Sequence, residues 1–230
     1  MIEEKTLTMK DAADWHALTQ NDEYLILSSQ RLSEPPLIWV NQFTQIINDF
    51  VDENKGKYVI NDIGCNVGHF ARNVELINAD IAYRGIDISK TYLEIAKHHF
   101  PKLNFFIEDF AQKELNISQF ECDISVISAT LEHIDDYEQF LNNIFKTTSQ
   151  MVLIRTFLGE TSEMDYCLKE GASSSYLIRQ FVLSDLINKN YNKDWTFECL
   201  EDKATHSQPK IICKSILRTQ QIIKFTKNRR

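Results

Sequence analysis

Apolar positions along the chain change their period several times, and the changes mark out its elements. Residues 1–56 read as helical: Trp15 and Leu18 precede a break. Pro35 and Pro36 then open a run in which Leu37, Val40, Phe43, Ile47, Phe50 and Val51 share one helical face, and Gly56 ends it. From Lys57 an apolar strand pattern runs into Gly64, and Phe70, Ala71 and Val74 return to a helical face. This is strand, tight loop, helix. The alternation continues with Ile81–Ile88 as strand, Leu93, Ala96 and Phe100 as a helical stripe stopped by Pro101, and Leu103–Ile107 as strand. Cys122–Ser128 is a buried strand, Asp135 and Asp136 open a helix carrying Phe140, Leu141, Ile144 and Phe145, and Met151–Thr156 is a further strand. Strand runs too apolar for one-sided exposure, alternating with helices, predict a parallel sheet covered on both faces.

Beyond it the pattern loosens. Gly159–Ser175 is polar and uneven, and predicts a substrate-binding loop inserted over about 157–180. Ser184 is placed as the N-cap of a short helix through Leu186 and Ile187. Trp195–Leu200 and Ile211–Leu217 predict two closing strands in an antiparallel hairpin at the sheet edge. The expected organisation is a helical cap (1–56), a core (57–217) and a solvated basic tail (218–230).

Composition narrows the classes of function. The chain has 230 residues, 43% hydrophobic and 25% charged, the proportions of a soluble globule with one buried core. No segment approaches the ~20 apolar residues of a membrane span. The first residues, MIEEKTLTMKDAADW, lack the basic-then-apolar order of a secretory signal, so a cytoplasmic location is expected. The net charge is −8, and Lys224, Lys227, Arg229 and Arg230 gather near the end, leaving the body more acidic still. That disfavours nucleic acid as a partner, because phosphate neutralisation needs a basic surface. Five cysteines, odd in number and without a C-x-x-C pair, argue against a disulfide framework and a structural zinc site.

The chemistry concentrates in Val59-Ile60-Asn61-Asp62-Ile63-Gly64-Cys65-Asn66-Val67-Gly68-His69-Phe70. Gly64 and Gly68 stand where a strand must turn sharply into a helix while a ligand approaches the backbone. A dinucleotide loop, G-x-G-x-x-G, fails here at Asn66 and His69, whereas a G-x-G-x-G loop fails only at Asn66. Asp62 would repel a pyrophosphate and attract an ammonium, which favours an amino-acid-bearing ligand. Roughly 20 residues further on, Asp87 at a strand end is placed to accept both hydroxyls of a ribose.

These segments, DIGCNVGHF, GIDIS, EDF and CDISVISATLEHI followed by Asp135-Asp136, resemble the class I S-adenosylmethionine (SAM)-dependent methyltransferases over residues 57–217. The resemblance implies an α/β, doubly wound, Rossmann-like, seven-stranded, mostly parallel sheet, with the last strand antiparallel beside the fifth, under an N-terminal helical cap. It also implies SAM as cofactor, with S-adenosylhomocysteine (SAH) as product. Matched by position, Asp62 and Gly64 would meet the methionine part, Asp87 the ribose, and Asp109 and Phe110 the adenine, with Cys65, Asn66, Gly68 and Ile88 in the same cofactor site. The stretch Ser128 to His133 would floor the transfer chamber, with Ser128 and Ala129 touching the cofactor, and Arg31 would pair with the methionine carboxylate.

A hydroxyl or ammonium acceptor needs a base, and His133, beside Glu132, is the first choice; the competing reading is that Glu132 and His133 brace the strand-to-helix turn. Relatives with E-x-x-E-H at this place bind a divalent metal, but Ala129 stands at the first acid here, so no metal is expected. Tyr24, Arg155, Tyr176 and Arg179 are the candidates for acceptor binding, with structural ion pairing as the alternative for the arginines. The acceptor read from this pattern is a small polar metabolite, a sugar or surface-glycan precursor by analogy. An O-methyltransferase of a quinone or lipid precursor, and a non-catalytic SAM-binding subunit, stand as rivals.

Overall fold

The computed structural model describes residues 22–54, 56–168, 175–187, 189–212 and 216–228. Trp15, Leu18, Arg229 and Arg230 lie outside the described residues. Helices α1 (Asp22–Ser33) and α2 (Ile38–Asn54) lead into strand β1 (Lys57–Ile63). Strand β2 (Asp80–Asp87), helix α3 (Lys90–His99), strand β3 (Asn104–Ile107), strand β4 (Cys122–Ser128), helix α4 (Tyr137–Thr147) and strand β5 (Thr148–Phe157) follow. Then come β6 (Glu163–Leu168), β7 (Ser175–Gln180), a short helix α5 (Leu183–Ile187), β8 (Trp195–Glu201), β9 (Lys210–Ile212), β10 (Ile216–Arg218) and β11 (Gln220–Lys227).

The main sheet has seven strands in the order β3-β2-β1-β4-β5-β11-β8. β1 to β5 run parallel to their neighbours, and β11 lies antiparallel to both β5 and β8. The predicted doubly wound, mostly parallel sheet is therefore present, and α2 and α4 cover opposite faces. Phe43 and Ile47 of α2 pack with Met151, Leu153 and Ile222. Phe140 and Ile144 of α4 pack with Ile127, Ile154 and Ile223. Neighbouring residues such as Leu153 and Ile154 thus serve different cores, as the two-residue period of a strand requires.

Five expectations are corrected. The stretch from residue 218 is not a solvated tail: Ile222, Ile223 and Phe225 are fully buried, and β11 sits inside the sheet. The expected closing strand over Ile211–Leu217 is instead part of a separate small pair, β9–β10, outside the main sheet. The polar insertion is not a simple loop, because β6 and β7 pair antiparallel from Glu163↔Gln180 to Leu168↔Ser175. Its residues 169–174 lie outside the described residues. Finally, the segment after the Gly64 turn is a 3-10 helix over Ala71–Leu76, and Ser184 lies within α5 instead of capping it. No described helix is long and apolar enough to cross a membrane.

Candidate functional site

β1 and β4 end side by side at the centre of the sheet, where the strand order reverses and open α/β sheets leave a crevice. The turn leaving β1 is built from three left-handed residues, Gly64 (φ 75°), Asn66 (φ 53°) and Gly68 (φ 91°). Asn tolerates this region better than most side chains, which is why it can stand where a third glycine was expected. A Cβ on Gly64 would strike the Thr130 side chain, so the loops after β1 and β4 interlock through this glycine. Gly64 and Cys65 donate to the Ile86 carbonyl at 2.8 and 3.1 Å, and Gly68 donates to the Cys65 carbonyl at 2.9 Å.

Asp87, at the end of β2, binds the turn to the next helix. Its Oδ2 accepts the Asn66 amide at 2.9 Å, and its Oδ1 accepts the Ser89 amide at 2.9 Å. Ser89 in turn caps α3. Ile88, half-buried, follows on the same rim.

Two acids and two arginines set the field around the turn. Asp62 is buried beneath it and accepts from the Tyr83 hydroxyl at 2.7 Å. Burial pushes its carboxyl up to about 7, Tyr83 opposes the shift, and the nearby Asp87 adds to it. Burial and the same acids push the Cys65 thiol well up, so Cys65 is a packing residue on the turn and not a nucleophile. On the other side, burial and the charges of Arg31 and Arg72 lower the His69 imidazole to about 4. Arg72 Nη1 donates to the carbonyls of Arg31 (3.3 Å) and Glu34 (2.8 Å), which carries the end of α1 to the turn. Tyr83 and Arg72 were missed by the sequence reading, which places His69 in the loop and Thr130 in the floor stretch. The strand period could have offered Tyr83, which lies on the same face of β2 as Gly85, the residue opposite Asp62; a side-chain bridge from Arg72 to distant carbonyls has no local signature.

The remaining predicted residues divide. Asp109 is exposed, with Oδ1 accepting the Ala111 amide at 2.8 Å. Phe110 is only 2% exposed and packs edge-on against Phe120. After β4, half-buried Ser128 leads to exposed Ala129, which adopts φ 53° with its amide on the Arg155 carbonyl at 3.0 Å. A non-glycine residue in that conformation is strained by about 1 kcal/mol or more, the kind of strain found at functional turns.

Glu132 is fully buried, with Oε2 accepting from Thr156 at 3.0 Å and Oε1 without a hydrogen-bond partner among the described residues. The bond to Thr156 braces the turn against β5, as the competing reading of this residue expects. His133 is different. Its Nδ1 lies 2.7 Å from the Leu177 carbonyl, and its ring meets Tyr176 edge-on at 5.7 Å. A carbonyl oxygen only accepts, so Nδ1 carries the proton and the lone pair of the neutral ring is on Nε2.

Arg155 is also corrected. It is buried, its Nε and Nη2 pair with the Asp202 carboxylate at 2.9 and 3.1 Å, and Nη2 also reaches Gln220 at 2.6 Å. A guanidinium so occupied ties β5 to β8 and β11 and binds no substrate. Arg179 lies over the Tyr137 ring at 4.7 Å and donates to the Asp135 carbonyl at 3.4 Å. Tyr24 belongs to α1. Among the described residues no group of three or more His, Cys, Asp or Glu side chains could hold a metal ion.

Residues 61–150 match the family model described as a methyltransferase domain. The matched stretch runs from β1 into β5, and the sheet has the class I, Rossmann-like topology. Solved structures agree on the fold of this domain. The plantazolicin methyltransferase BpumL in complex with SAH has 16% identity and a TM-score of 0.63, covering 93% of each chain. CalS10, an amino pentose methyltransferase from Micromonospora echinaspora with SAM bound, has 10% identity and a TM-score of 0.59, covering 83% of this chain and 92% of that one. The 1,6-didemethyltoxoflavin-N1-methyltransferase of Burkholderia thailandensis has 13% identity and a TM-score of 0.57, covering 90% and 87%. An uncharacterized protein of Methanocaldococcus jannaschii is 25% identical over 107 residues, 45% of this chain and 28% of its own length. The chain therefore spans only about a quarter of the length of that curated relative.

Proposed function

We propose that this protein transfers a methyl group from SAM to an oxygen or nitrogen of a small polar metabolite, with a sugar or surface-glycan precursor as the preferred class. The observation that carries the reading is the Asp87 carboxylate, anchored to the backbone of the left-handed turn at Asn66 and to Ser89. The residues around it fit an adenosyl amino acid. Asp62 and Asp87 suit an ammonium and a ribose, Arg31 and Arg72 lie beside the same turn and suit a carboxylate, and Ile88 offers an apolar edge to the adenosine. Of the neighbours in fold, one methylates an amino pentose and another the nitrogen of a toxoflavin precursor, which supports a small acceptor.

When bound, SAM supplies an electrophilic methyl group on a sulfonium; the chain supplies positioning, a dry floor and a proton acceptor. Ser128 and Ala129 form that floor. His133, held by Leu177 in the tautomer with its lone pair on Nε2, takes the proton of the acceptor's hydroxyl or ammonium. Glu132 and Thr156 fix the turn that carries it. The β6–β7 hairpin, through Leu177 and Tyr176, closes the acceptor side.

Isothermal titration with SAM and SAH, beside a methyl-release assay on sugars, amines and phenols, tests this reading. Micromolar SAM uptake with turnover on a polar acceptor is expected. Uptake without turnover on any of them or on cell extract would support the non-catalytic subunit, and turnover on phenols alone the quinone-type enzyme.

A further inference from the structure

Arg218 ends β10, in the stretch the sequence reading assigned to the tail. Leu158, just past the end of β5, donates its amide to the Thr219 carbonyl at 2.9 Å, which holds Arg218 at the acceptor end of the sheet. Its guanidinium lies 5.4 Å over the Phe157 ring, beside Tyr176, whose ring meets His133. A line of side chains, His133, Tyr176, Arg218, thus runs outward from the proposed base.

The cation is poorly matched within the chain. Its one hydrogen bond is from Nη2 to the neutral Gln220 Oε1 at 2.8 Å, and Nε–H is buried without a partner among the described residues. Gln220 also receives Arg155, whose own charge is met by Asp202. No carboxylate lies within 4.0 Å of Arg218 among the described residues. Burial and then Arg155 hold its pKa below the usual arginine value, with Glu132 and Asp202 acting against them. A half-buried guanidinium with an unclaimed Nε–H carries an uncompensated desolvation cost, which an incoming oxyanion would offset with charge-assisted bonds.

We infer that Arg218 is the recognition group for an oxyanion, a carboxylate or a phosphate, carried by the methyl acceptor. The inference rests on the methyltransferase reading and names the acceptor's chemistry. It gives the anion-binding role expected of Arg155 to a residue whose charge is not already met. An acceptor bound through its oxyanion at Arg218 would present its hydroxyl or amine inward, past Tyr176, to His133 Nε2.

The test uses the full chain loaded with SAH, titrated with sodium acetate and with inorganic phosphate against sodium chloride at equal ionic strength. The Arg218 Nε–H resonance, assigned by its absence in Arg218→Lys, should move saturably with one or both oxyanions and not with chloride. The Tyr176 and Leu177 amides should follow it. In Arg218→Gln those amides should respond at least tenfold more weakly while SAH affinity stays within twofold. Response to acetate identifies a carboxylate acceptor, and response to phosphate a phosphorylated one. If SAH binds and neither oxyanion does more than chloride, the assignment of Arg218 is overturned. If SAH does not bind, the underlying reading of the site fails first. The wild-type titration decides even where Arg218→Gln does not fold.

Discussion

The Asp87 carboxylate accepts the Asn66 amide at 2.9 Å, so the acid proposed to grip the ribose also sets the turn proposed to cradle the methionine. One side chain therefore couples two parts of the cofactor site. Replacing Asp87 by Ala should strip two backbone donors of their acceptor as well as the ribose of its partner. Calorimetry should show SAM binding weakened at least tenfold, and urea denaturation a loss of roughly 1–3 kcal/mol. Asp87→Asn keeps one acceptor oxygen but sets an NH2 against the other backbone donor and loses the charge, and should recover only part of the stability and little of the affinity. Unchanged SAM affinity in Asp87→Ala would remove the ribose role.

Gly64 gives a steric test. Ala at this position must hold φ 75° and also displace the Thr130 side chain. Gly64→Ala should cost about 1–2 kcal/mol for the backbone alone, more with the clash, and should abolish SAM uptake. Adding Thr130→Gly should return part of the stability, read as a rise in Tm over the single variant. If the double variant is no more stable than the single one, the two loops do not interlock as described.

Asp62 makes stability depend on pH. Its pKa is raised from the ordinary carboxylate value to about 7, chiefly by burial, so the folded state keeps a proton that the unfolded state releases. Stability should therefore fall as pH rises from about 4 to about 7 and level off above, by at most on the order of 4 kcal/mol. Asp62→Asn should flatten that slope, measured as urea midpoints between pH 5 and 8. A cationic ammonium bound beside Asp62 favours its ionised form, so SAM affinity should increase as pH rises through about 7, an increase that Asp62→Asn should lose.

His133 separates catalysis from cofactor binding. His133→Ala should reduce turnover by roughly 100-fold or more, with SAM affinity within twofold of wild type. It also loses the bond to Leu177, at a cost near 1 kcal/mol of stability. Full activity in the variant would leave His133 with the bracing role alone.

Much of this was legible in the chain because it is local. The turn after β1 needs left-handed backbone, which Gly64, Asn66 and Gly68 supply within a few positions; the strand periods of β1 to β5 and the helical stripes of α2 and α4 follow from side-chain spacing. Asp87 at a strand end is equally a one-dimensional signal, which is why these features could be named before any coordinates. What tertiary structure alone decided was where distant charges and rings meet. β11 carries only Ile222, Ile223 and Phe225 as apolar residues among polar and basic ones, and it becomes an interior strand only because β5 and β8 pair along its two edges while the two cores bury its faces. That docking brings Gln220 and Asp202 to Arg155, occupies it, and leaves Arg218 with an unclaimed donor. Phe110 and Glu132 turn inward for a similar reason, since the core offers each a partner, Phe120 or Thr156, that no spacing rule encodes. Periodicity is set by bonds along the chain, whereas the fate of a charge or a ring depends on which remote surface folding brings against it.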